Sequence, residues 1–357
     1  MSLGLDRFLT WREAATSGDA IAAALVSARS SAADVTELLA AADRVILTGA
    51  GSSYYLAQVS AAVAREVSGQ VVLATPPSEL ILRPSGVVGR GPAGRQPVIV
   101  ISRSGSTSEA VEVVERMAAD GHPTIAVTCR AESPLAARAE RVLLSPAGDE
   151  EAIVMTRSFT SMLALLLRVM AELGGDRALA SDLDRLPERW PEAVAAAGIG
   201  ATLGSVDRSR VVVLGGGPAR GIAAEWSLKL TETSQVAADA YEPLEFRHGP
   251  ISVCEPGVLV VGLVGGPGAP AEARVVGETA ALGAATWLIG RDAADGAAEG
   301  VPLAGQLSIV GGGLHPWARL PLLLYPAHAL ALSLALTRGR DPDAPRHLGQ
   351  VVILDPA

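Results

Sequence analysis

The sequence predicts an α/β protein built from two tandem three-layer αβα domains, each with a parallel β-sheet between layers of helices. Short apolar runs alternate with helical patterns, and glycine- or serine-rich turns join each run to the next helix. The alternation also starts twice. RVILTGAGSS, from Arg44, is similar to RVVVLGGGPA, from Arg210, which indicates an internal duplication.

The elements of the first half follow in order. Helical spacing over 5–42 precedes a buried strand at Val45–Leu47, a turn at Gly49 and Gly51, and a helix from Ala57 onward. A second strand, Ser/Gly turn and helix occupy PVIVISRSGSTSEAVEVVERMAADG. The runs VVLAT, TIAVTC and RVLLSP are further strands, and SFTSMLALLLRVMAELGG is an apolar helix that ends at its glycine pair.

The second half repeats this order. After a polar helical junction come the glycine turn and helix of RVVVLGGGPARGIAAEWSLKLTETS, the strands VLVVGLV and ATWLIG, and the late helix PLLLYPAHALALSLALTRG. The length of 357 residues suits two cores rather than one. We expect a helical segment at 1–34, domains at 35–195 and 196–340, and a C-terminal tail at 341–357.

Composition excludes several classes of protein. A formal net charge of −9 argues against a nucleic-acid binder, so local dipoles and hydroxyls must hold any bound phosphate. Cys129 and Cys254 lie in or beside apolar runs and fit no disulfide framework or zinc spacing. The N-terminus is not typical of a signal peptide, and no uninterrupted apolar run is long enough to span a bilayer. We therefore expect a cytoplasmic protein.

Three turns of the first half are rich in hydroxyl groups. Backbone N–H groups at a helix N-terminus favour an anion, and Ser and Thr add donors without bulk. The turns are Gly51–Ser52–Ser53, Ser102–Arg103–Ser104–Gly105–Ser106–Thr107 and Thr156–Arg157–Ser158. Helix capping alone would explain one such turn. Two at parallel strand ends favour a phosphate site, and neither the dinucleotide fingerprint nor the nucleotide P-loop is present.

Lys229 is the only lysine in the chain. Because arginine cannot easily give up a proton, a lone lysine suggests a base, a proton donor or an amine nucleophile. Glu232 and Glu225 share its helix face, which would also fit an ordinary salt-bridge stripe. His248 lies in the non-helical segment EFRHGP, where it is either a surface residue or an acid–base group able to reach a ligand.

Together these segments resemble the double sugar-isomerase (SIS) domain proteins, above all the isomerase half of glucosamine-6-phosphate synthase and amino-sugar-phosphate isomerases and deaminases. The similar segments are GAGSSYY, SRSGST, TRSFTSM, EWSLKLTETS, AYEPLEFRHGP and DPDAPRHLGQVV, in the family's order. The resemblance implies two flavodoxin-like SIS domains, a tail that closes on the active site, and a homodimer whose sites lie at the subunit interface.

The resemblance also implies roles for individual residues. Those around the sugar phosphate are Ser53, Ser102, Arg103, Ser104 and Thr107, and those placed near the rest of the sugar are Gly51, Ser52, Thr156 and Gln350. Glu232 would move a proton between C1 and C2, and His248 would assist ring opening from the neighbouring subunit. Lys229 corresponds to a lysine of the family's catalytic helix. No metal and no cofactor are implied.

Three departures from the family bear on the reaction. We expect no N-terminal glutaminase domain, since residue 2 is serine where the synthase has its cysteine nucleophile. Gln350 stands where the family often has a lysine that forms a Schiff base with the open sugar, and Met155 stands where the synthase has a serine. The sequence therefore predicts an aldose–ketose isomerase of an amino sugar phosphate that releases ammonia. A deglycase of sugar phosphate–amine adducts and a non-catalytic sugar-phosphate sensor are the alternatives.

Overall fold

The computed structural model describes residues 4–292 and 305–354. The described chain forms two compact units, each discontinuous in sequence. Residues 16–151, 157–184 and 349–354 form the first-sheet unit, and residues 4–15, 152–156, 185–292 and 305–348 form the second-sheet unit. The predicted boundaries at 34, 195 and 340 do not coincide with these limits, since both the helical segment and the tail divide between the units. Residues 355–357 of the predicted tail lie outside the described residues.

The first-sheet unit contains five parallel strands in the order β2-β1-β3-β4-β5. Its strands are β1 (Val45–Gly49), β2 (Val72–Thr75), β3 (Val98–Ile101), β4 (Thr124–Thr128) and β5 (Arg141–Leu144). Its helices are α2 (Ser17–Ala40), α3 (Ser52–Ser68), α4 (Pro77–Leu82), α5 (Ser108–Ala119), α6 (Pro134–Arg138), α7 (Arg157–Gly174) and α8 (Arg177–Asp184). Every residue of β1, β3 and β4 is buried, as expected for parallel strands covered on both faces.

The second-sheet unit contains five parallel strands in the order β10-β9-β8-β6-β7. They are β6 (Arg210–Gly215), β7 (Ala237–Tyr241), β8 (Val258–Leu263), β9 (Ala285–Gly290) and β10 (Gln306–Ile309). The helices are α1 (Leu9–Ala15), α9 (Leu186–Gly204), α10 (Ala219–Ser234), α11 (Pro243–Phe246), α12 (Ala269–Ala281) and α13 (Leu324–Thr337). Trp226 of α10 donates a hydrogen bond to the carbonyl of Leu323 at 2.9 Å, beside the start of α13.

The two sheets have the same strand order when their strands are counted from the start of each unit. In both, the second strand lies on one side of the first strand and the third strand lies on the other side. The sheet is therefore extended first in one direction and then in the opposite direction, although all strands are parallel. Ligands of open parallel sheets bind at such a switch point, beyond the carboxyl ends of the strands. The common order confirms the predicted fold class and agrees with an internal duplication.

One stretch of the described chain, Leu320–Thr337, has the length and apolar composition of a membrane span, but 89% of it is buried inside the protein. It includes α13 and serves as a core helix of the second-sheet unit. Helix α13 packs against α9 and α10, and its leucine and alanine side chains are almost all buried. The stretch also contains Pro321 and Pro326, which interrupt its apolar run.

Candidate active site

Two of the three hydroxyl-rich turns lie at the switch point of the first-sheet unit. Strands β1 and β3 pair in parallel from Ile46↔Val98 to Gly49↔Ile101. The turn at 50–51 and the loop 102–107, here called the hydroxyl loop, therefore leave neighbouring strand ends. This is the edge of the sheet at which the sequence predicts an anion site.

The hydroxyl loop is folded tightly on its own side chains. Ser102 Oγ accepts a hydrogen bond from the Gly105 N–H at 3.2 Å, and Ser104 Oγ accepts one from the Ser106 N–H at 3.2 Å. Ser102 Oγ and Thr107 Oγ1 are 3.4 Å apart. The serine side chains at 102 and 104 are buried, whereas Thr107 is partly exposed. The loop thus presents its hydroxyl groups in one fixed arrangement next to the start of α5.

Gly51 begins the second predicted part of the phosphate site. Its φ of +56° is a left-handed conformation that favours glycine, and it precedes the first turn of α3. Ser52 and Ser53 are the first residues of that helix and are both buried. The helix therefore starts five residues before the predicted Ala57, and its N-terminus lies at the end of β1. Its dipole favours an anion there.

Arg103 is held by groups other than a ligand. Its guanidinium is buried and lies 3.6 Å from Glu150 Oε1, and Arg103 Nη2 donates to the backbone carbonyl of Gln350 at 2.8 Å. Ser158 Oγ also donates to the Glu150 carboxylate. A carboxylate therefore lies beside the arginine, and the contact between Arg103 and phosphate stays a prediction.

The C-terminal tail lies against the hydroxyl loop and α5 within the first-sheet unit. The Gln350 amide donates to the carbonyls of Glu150 at 3.2 Å and Glu151 at 3.1 Å. The Ser108 N–H donates to the carbonyl of Val352 at 3.3 Å, and Ser108 Oγ accepts from the Leu354 N–H at 3.0 Å. The side chain at the family's lysine position is therefore tied to backbone carbonyls.

Thr156 is the one predicted sugar-binding residue of the first half that groups with the second-sheet unit. Its side chain is fully buried, while Arg157 and Ser158 of the same turn begin α7 in the first-sheet unit. The structure therefore does not bring Thr156 together with the hydroxyl loop in one unit, and its role in sugar binding stays a prediction.

Lys229 is the centre of a buried charge cluster on α10 in the second-sheet unit. Its Nζ lies 2.5 Å from Glu232 Oε2 and 3.4 Å from Glu225 Oε1. The side chains of Lys229 and Glu225 are 2% and 0% exposed, whereas that of Glu232 is 19% exposed. The predicted shared helix face is confirmed, but burial separates this cluster from an ordinary surface stripe.

The protonation state of Lys229 follows from these neighbours. Burial alone lowers the pKa of Lys229, but the charges and hydrogen bonds of Glu225 and Glu232 outweigh burial and raise that pKa above its ordinary value. Lys229 is therefore an ammonium ion at neutral pH. A base or imine role for Lys229 would need the neutral amine instead.

His248 is exposed on the turn that follows α11. Its imidazole forms no hydrogen bond to any residue in 4–292 or 305–354, although its backbone N–H donates to the Glu245 carbonyl at 2.9 Å. The preceding Arg247 makes a two-point ion pair with Glu278 of α12, with both hydrogen bonds at 2.7 Å. This pair anchors the turn and leaves the imidazole facing solvent.

Glu150 and His328 were not predicted from the sequence. Glu150 lies in the acidic run Asp149–Glu151, which has the composition of a solvated loop, yet its side chain is completely buried beside Arg103. His328 lies within the apolar run of α13, whose composition is typical of a core helix. Within the described residues, no group of three or more His, Cys, Asp or Glu side chains is arranged to hold a metal ion.

Comparison with known proteins agrees with these features. Residues 38–171 match the sequence model of the SIS domain. The glutamine–fructose-6-phosphate aminotransferases (isomerizing) of Shouchella clausii and Aeropyrum pernix are 26% identical over 336 residues and 28% identical over 335. These alignments cover 90% and 89% of this chain but only 53% and 52% of the relatives. The chain thus spans about half the length of the curated relatives it matches.

Two solved structures extend the comparison to the whole chain. A glucosamine-6-phosphate deaminase from Thermotoga maritima is 26% identical, with a TM-score of 0.76, and the alignment covers 97% of this chain and 99% of that one. The C-terminal domain of glucosamine-fructose-6-phosphate aminotransferase from Francisella tularensis has a TM-score of 0.84 over 96% of this chain and 100% of its own. At 18% identity the latter likeness concerns the fold alone.

Proposed function

Because this chain belongs to the SIS-domain family of phosphosugar isomerases, we propose that it is an aldose–ketose isomerase of an amino sugar phosphate that releases ammonia. Its substrate would resemble glucosamine 6-phosphate. The similarity to a glucosamine-6-phosphate deaminase over nearly the whole of both chains supports this choice of substrate class.

The single observation that carries the proposal is the ion pair between Lys229 and Glu232. The lysine is buried and charged, while the glutamate keeps part of its surface open. A carboxylate at an accessible position can remove a proton from a carbon acid next to a carbonyl. An ordinary surface ion pair does not require a buried lysine, whereas the only lysine of this chain is buried.

The steps of the proposed reaction can be assigned to side chains and backbone groups of this protein and to water. The hydroxyl loop and the N-termini of α3 and α5 would hold the phosphate of the open-chain sugar. Glu232 would take the proton from one carbon and return it to its neighbour through an enolamine, which converts the amino sugar into an imine. Water would then hydrolyse the imine to the ketose phosphate and ammonia. Lys229 would stabilise the negative charge on Glu232 before the transfer.

His248 would act on ring opening in a neighbouring subunit, which makes a homodimer part of the proposal. Its exposure and its lack of a side-chain hydrogen bond in the described chain support an intermolecular role. Mixing inactive His248→Ala protein with inactive Glu232→Gln protein is expected to restore activity in hybrid dimers. If subunit exchange is demonstrated and activity does not return, both residues act in the same subunit.

A sugar-phosphate sensor is the second candidate, and one observation favours it. Gln350 replaces the family's tail lysine, and its amide is tied to the carbonyls of Glu150 and Glu151. An amide cannot form a Schiff base with an open sugar. A sensor would bind the phosphosugar without turning it over, and the hydroxyl loop alone would be sufficient for this.

Turnover assays separate these candidates. Purified protein is incubated with glucosamine 6-phosphate, galactosamine 6-phosphate or fructose 6-phosphate, and ketose and ammonia are measured. We expect ammonia from one of the amino sugars, and a loss of at least about 10²-fold in Glu232→Gln, because the catalytic base is gone. Glu188→Gln, on the exposed surface of α9, is the matched control. Binding by calorimetry with no turnover on any of the sugars would favour the sensor.

A further inference from the structure

His328 is a buried polar group that the proposed reaction does not use. It lies within α13 and is 1% exposed, and neither ring nitrogen has a hydrogen-bond partner in the described part of the chain. Buried polar atoms in proteins are nearly always hydrogen-bonded, so an imidazole with two unpaired nitrogens needs an explanation. The neighbouring positions of α13 are alanine and leucine, either of which would fill the same space without this cost.

The surroundings of His328 include the Lys229 cluster. Helix α13 packs against α10, which carries Glu225, Lys229 and Glu232. Burial first, and then the positive charge of Lys229, lower the pKa of His328 to about 3. The imidazole is therefore neutral at neutral pH, with one nitrogen that donates and one that accepts a hydrogen bond. A neutral acceptor thus lies within electrostatic reach of the ammonium ion.

The proposed reaction changes what the ammonium of Lys229 can bind. While Glu232 is ionised, Lys229 pairs with it at 2.5 Å and with Glu225 at 3.4 Å. When Glu232 takes up the substrate proton it becomes neutral, and its attraction for the buried ammonium falls. Lys229 still carries its charge at a buried position beside Glu225, and a second acceptor in place of Glu232 would keep it in position.

We propose that His328 is a positioning residue that accepts a hydrogen bond from Lys229 while Glu232 holds the substrate proton. The imidazole then keeps the ammonium next to Glu232, ready for the return of the proton. This inference rests on the proposed function for its kinetic consequences. The hydrogen bond itself depends only on the charge of Glu232 and can be measured without a substrate.

The kinetic test compares two replacements of His328. His328→Leu removes the acceptor and keeps an apolar side chain, whereas His328→Gln supplies an amide oxygen that accepts a hydrogen bond. We expect kcat to fall about tenfold in His328→Leu with little change in KM, and His328→Gln to recover most of that loss. Equal kcat values in the two variants, at equal thermal stability, would overturn the positioning role.

A spectroscopic test keeps the inference separate from the choice of substrate. Nitrogen-15 NMR of histidine-labelled protein is recorded for wild type and for Glu232→Gln, in which the neutral amide mimics the protonated carboxylic acid. His328→Gln identifies the His328 resonances. We expect the acceptor nitrogen of His328 to move to lower frequency in Glu232→Gln, as hydrogen bonding to Lys229 requires. An unmoved resonance would overturn the inference. Absence of turnover on every sugar would instead overturn the proposed function.

Discussion

The two sheets share a strand order, but their switch points carry opposite chemistry. In the first-sheet unit, β1 is followed by the glycine–serine turn that begins α3, and β3 is followed by the hydroxyl loop. In the second-sheet unit, β6 ends at Gly215 and is followed by Gly216 and Gly217, and two carboxylates lie next to this turn. A Cβ atom built on Gly216 would be 2.1 Å from Glu272 Oε1 and 3.8 Å from Glu242 Oε1.

This difference shows how a duplicated fold can divide its tasks. Both switch points offer backbone N–H groups, but only the first surrounds them with hydroxyl donors, and the carboxylates of the second repel an anion. The second-sheet unit supplies a buried ion cluster on α10 instead. Strand order alone therefore does not identify a phosphate site, and the side chains at the strand ends decide which copy binds one.

The largest effect is expected from neutralising the centre of the buried cluster. Lys229→Met removes the positive charge next to the buried Glu225 carboxylate, and removing one member of a buried ion pair costs about 3–5 kcal/mol. We expect urea unfolding to show a loss of that size. The double variant Lys229→Met/Glu225→Gln should lose less, because the buried carboxylate has also been removed.

An exposed pair of the same spacing in the first-sheet unit provides the control. Glu79 of α4 and Arg83, directly after this helix, are also four residues apart, with side chains 38% and 69% exposed. Arg83→Met should change the free energy of unfolding by about 0–1 kcal/mol, because solvent screens such pairs. Similar losses in Arg83→Met and Lys229→Met would contradict the distinction between a buried cluster and a surface stripe.

The next effect concerns phosphate at the first switch point. Each hydrogen bond from a hydroxyl to a charged phosphate is worth about 1.5–3 kcal/mol. Ser104→Ala/Thr107→Ala should therefore weaken phosphosugar binding by about 3 kcal/mol, roughly a 10²-fold rise in Kd by calorimetry. Thr202→Ala/Ser205→Ala, at the end of α9, removes two hydroxyls from the other unit and should leave Kd unchanged. Unaltered affinity in the first double variant would remove the hydroxyl loop from the binding site.

Central strands and their turns could be predicted because they follow simple patterns. The runs VILTG and VIVI are completely buried, and glycine or serine follows each of them. The edge strands β7 and β10 were missed, since AADAY and QLSI are mostly exposed or half-buried and form no apolar run. An edge strand is specified by pairing with its neighbour in the sheet, and a single sequence does not display that pairing.

The candidate site was predictable to a similar degree. The lone lysine can be found by counting residue types, and the hydroxyl turns by the Ser, Thr and Gly residues that follow the predicted strands. The burial of Glu150 is not visible, because its acidic neighbours have the composition of a solvated loop. Nor does the sequence show that α13, which carries the buried His328, packs against α10 with its charged cluster. Both contacts depend on tertiary packing between segments that are distant in the chain.

A smaller effect is expected in the acid stability of the second-sheet unit. The folded-state pKa of His328, about 3, lies below the ordinary value of 6.5, so the unfolded chain binds the proton first as pH falls. Stability is therefore complete above pH ~6.5 and declines below it. Between pH 7 and pH 5 this one group should remove about 2 kcal/mol. His328→Gln should reduce the pH dependence by that amount in urea titrations, and an unchanged slope would contradict a buried neutral imidazole.

The smallest change in stability is expected when the glycines of the two turns are replaced. Gly51 and Gly217 have φ values of +56° and +52°, and a Cβ atom on either would meet nothing within 4 Å. Replacement by alanine should therefore cost each protein backbone strain of about 1 kcal/mol or more, seen as a fall in Tm. The fall should be larger at Gly51, whose ψ of −125° lies outside the left-handed helical region. Only the Gly51→Ala methyl group would enter the space in front of α3 where the phosphate is proposed to bind. We expect both variants to lose stability, but only Gly51→Ala to raise the phosphosugar Kd. If Gly217→Ala raised the Kd as much, the second switch point would share in phosphate binding, and the division of tasks between the two sheets would be wrong.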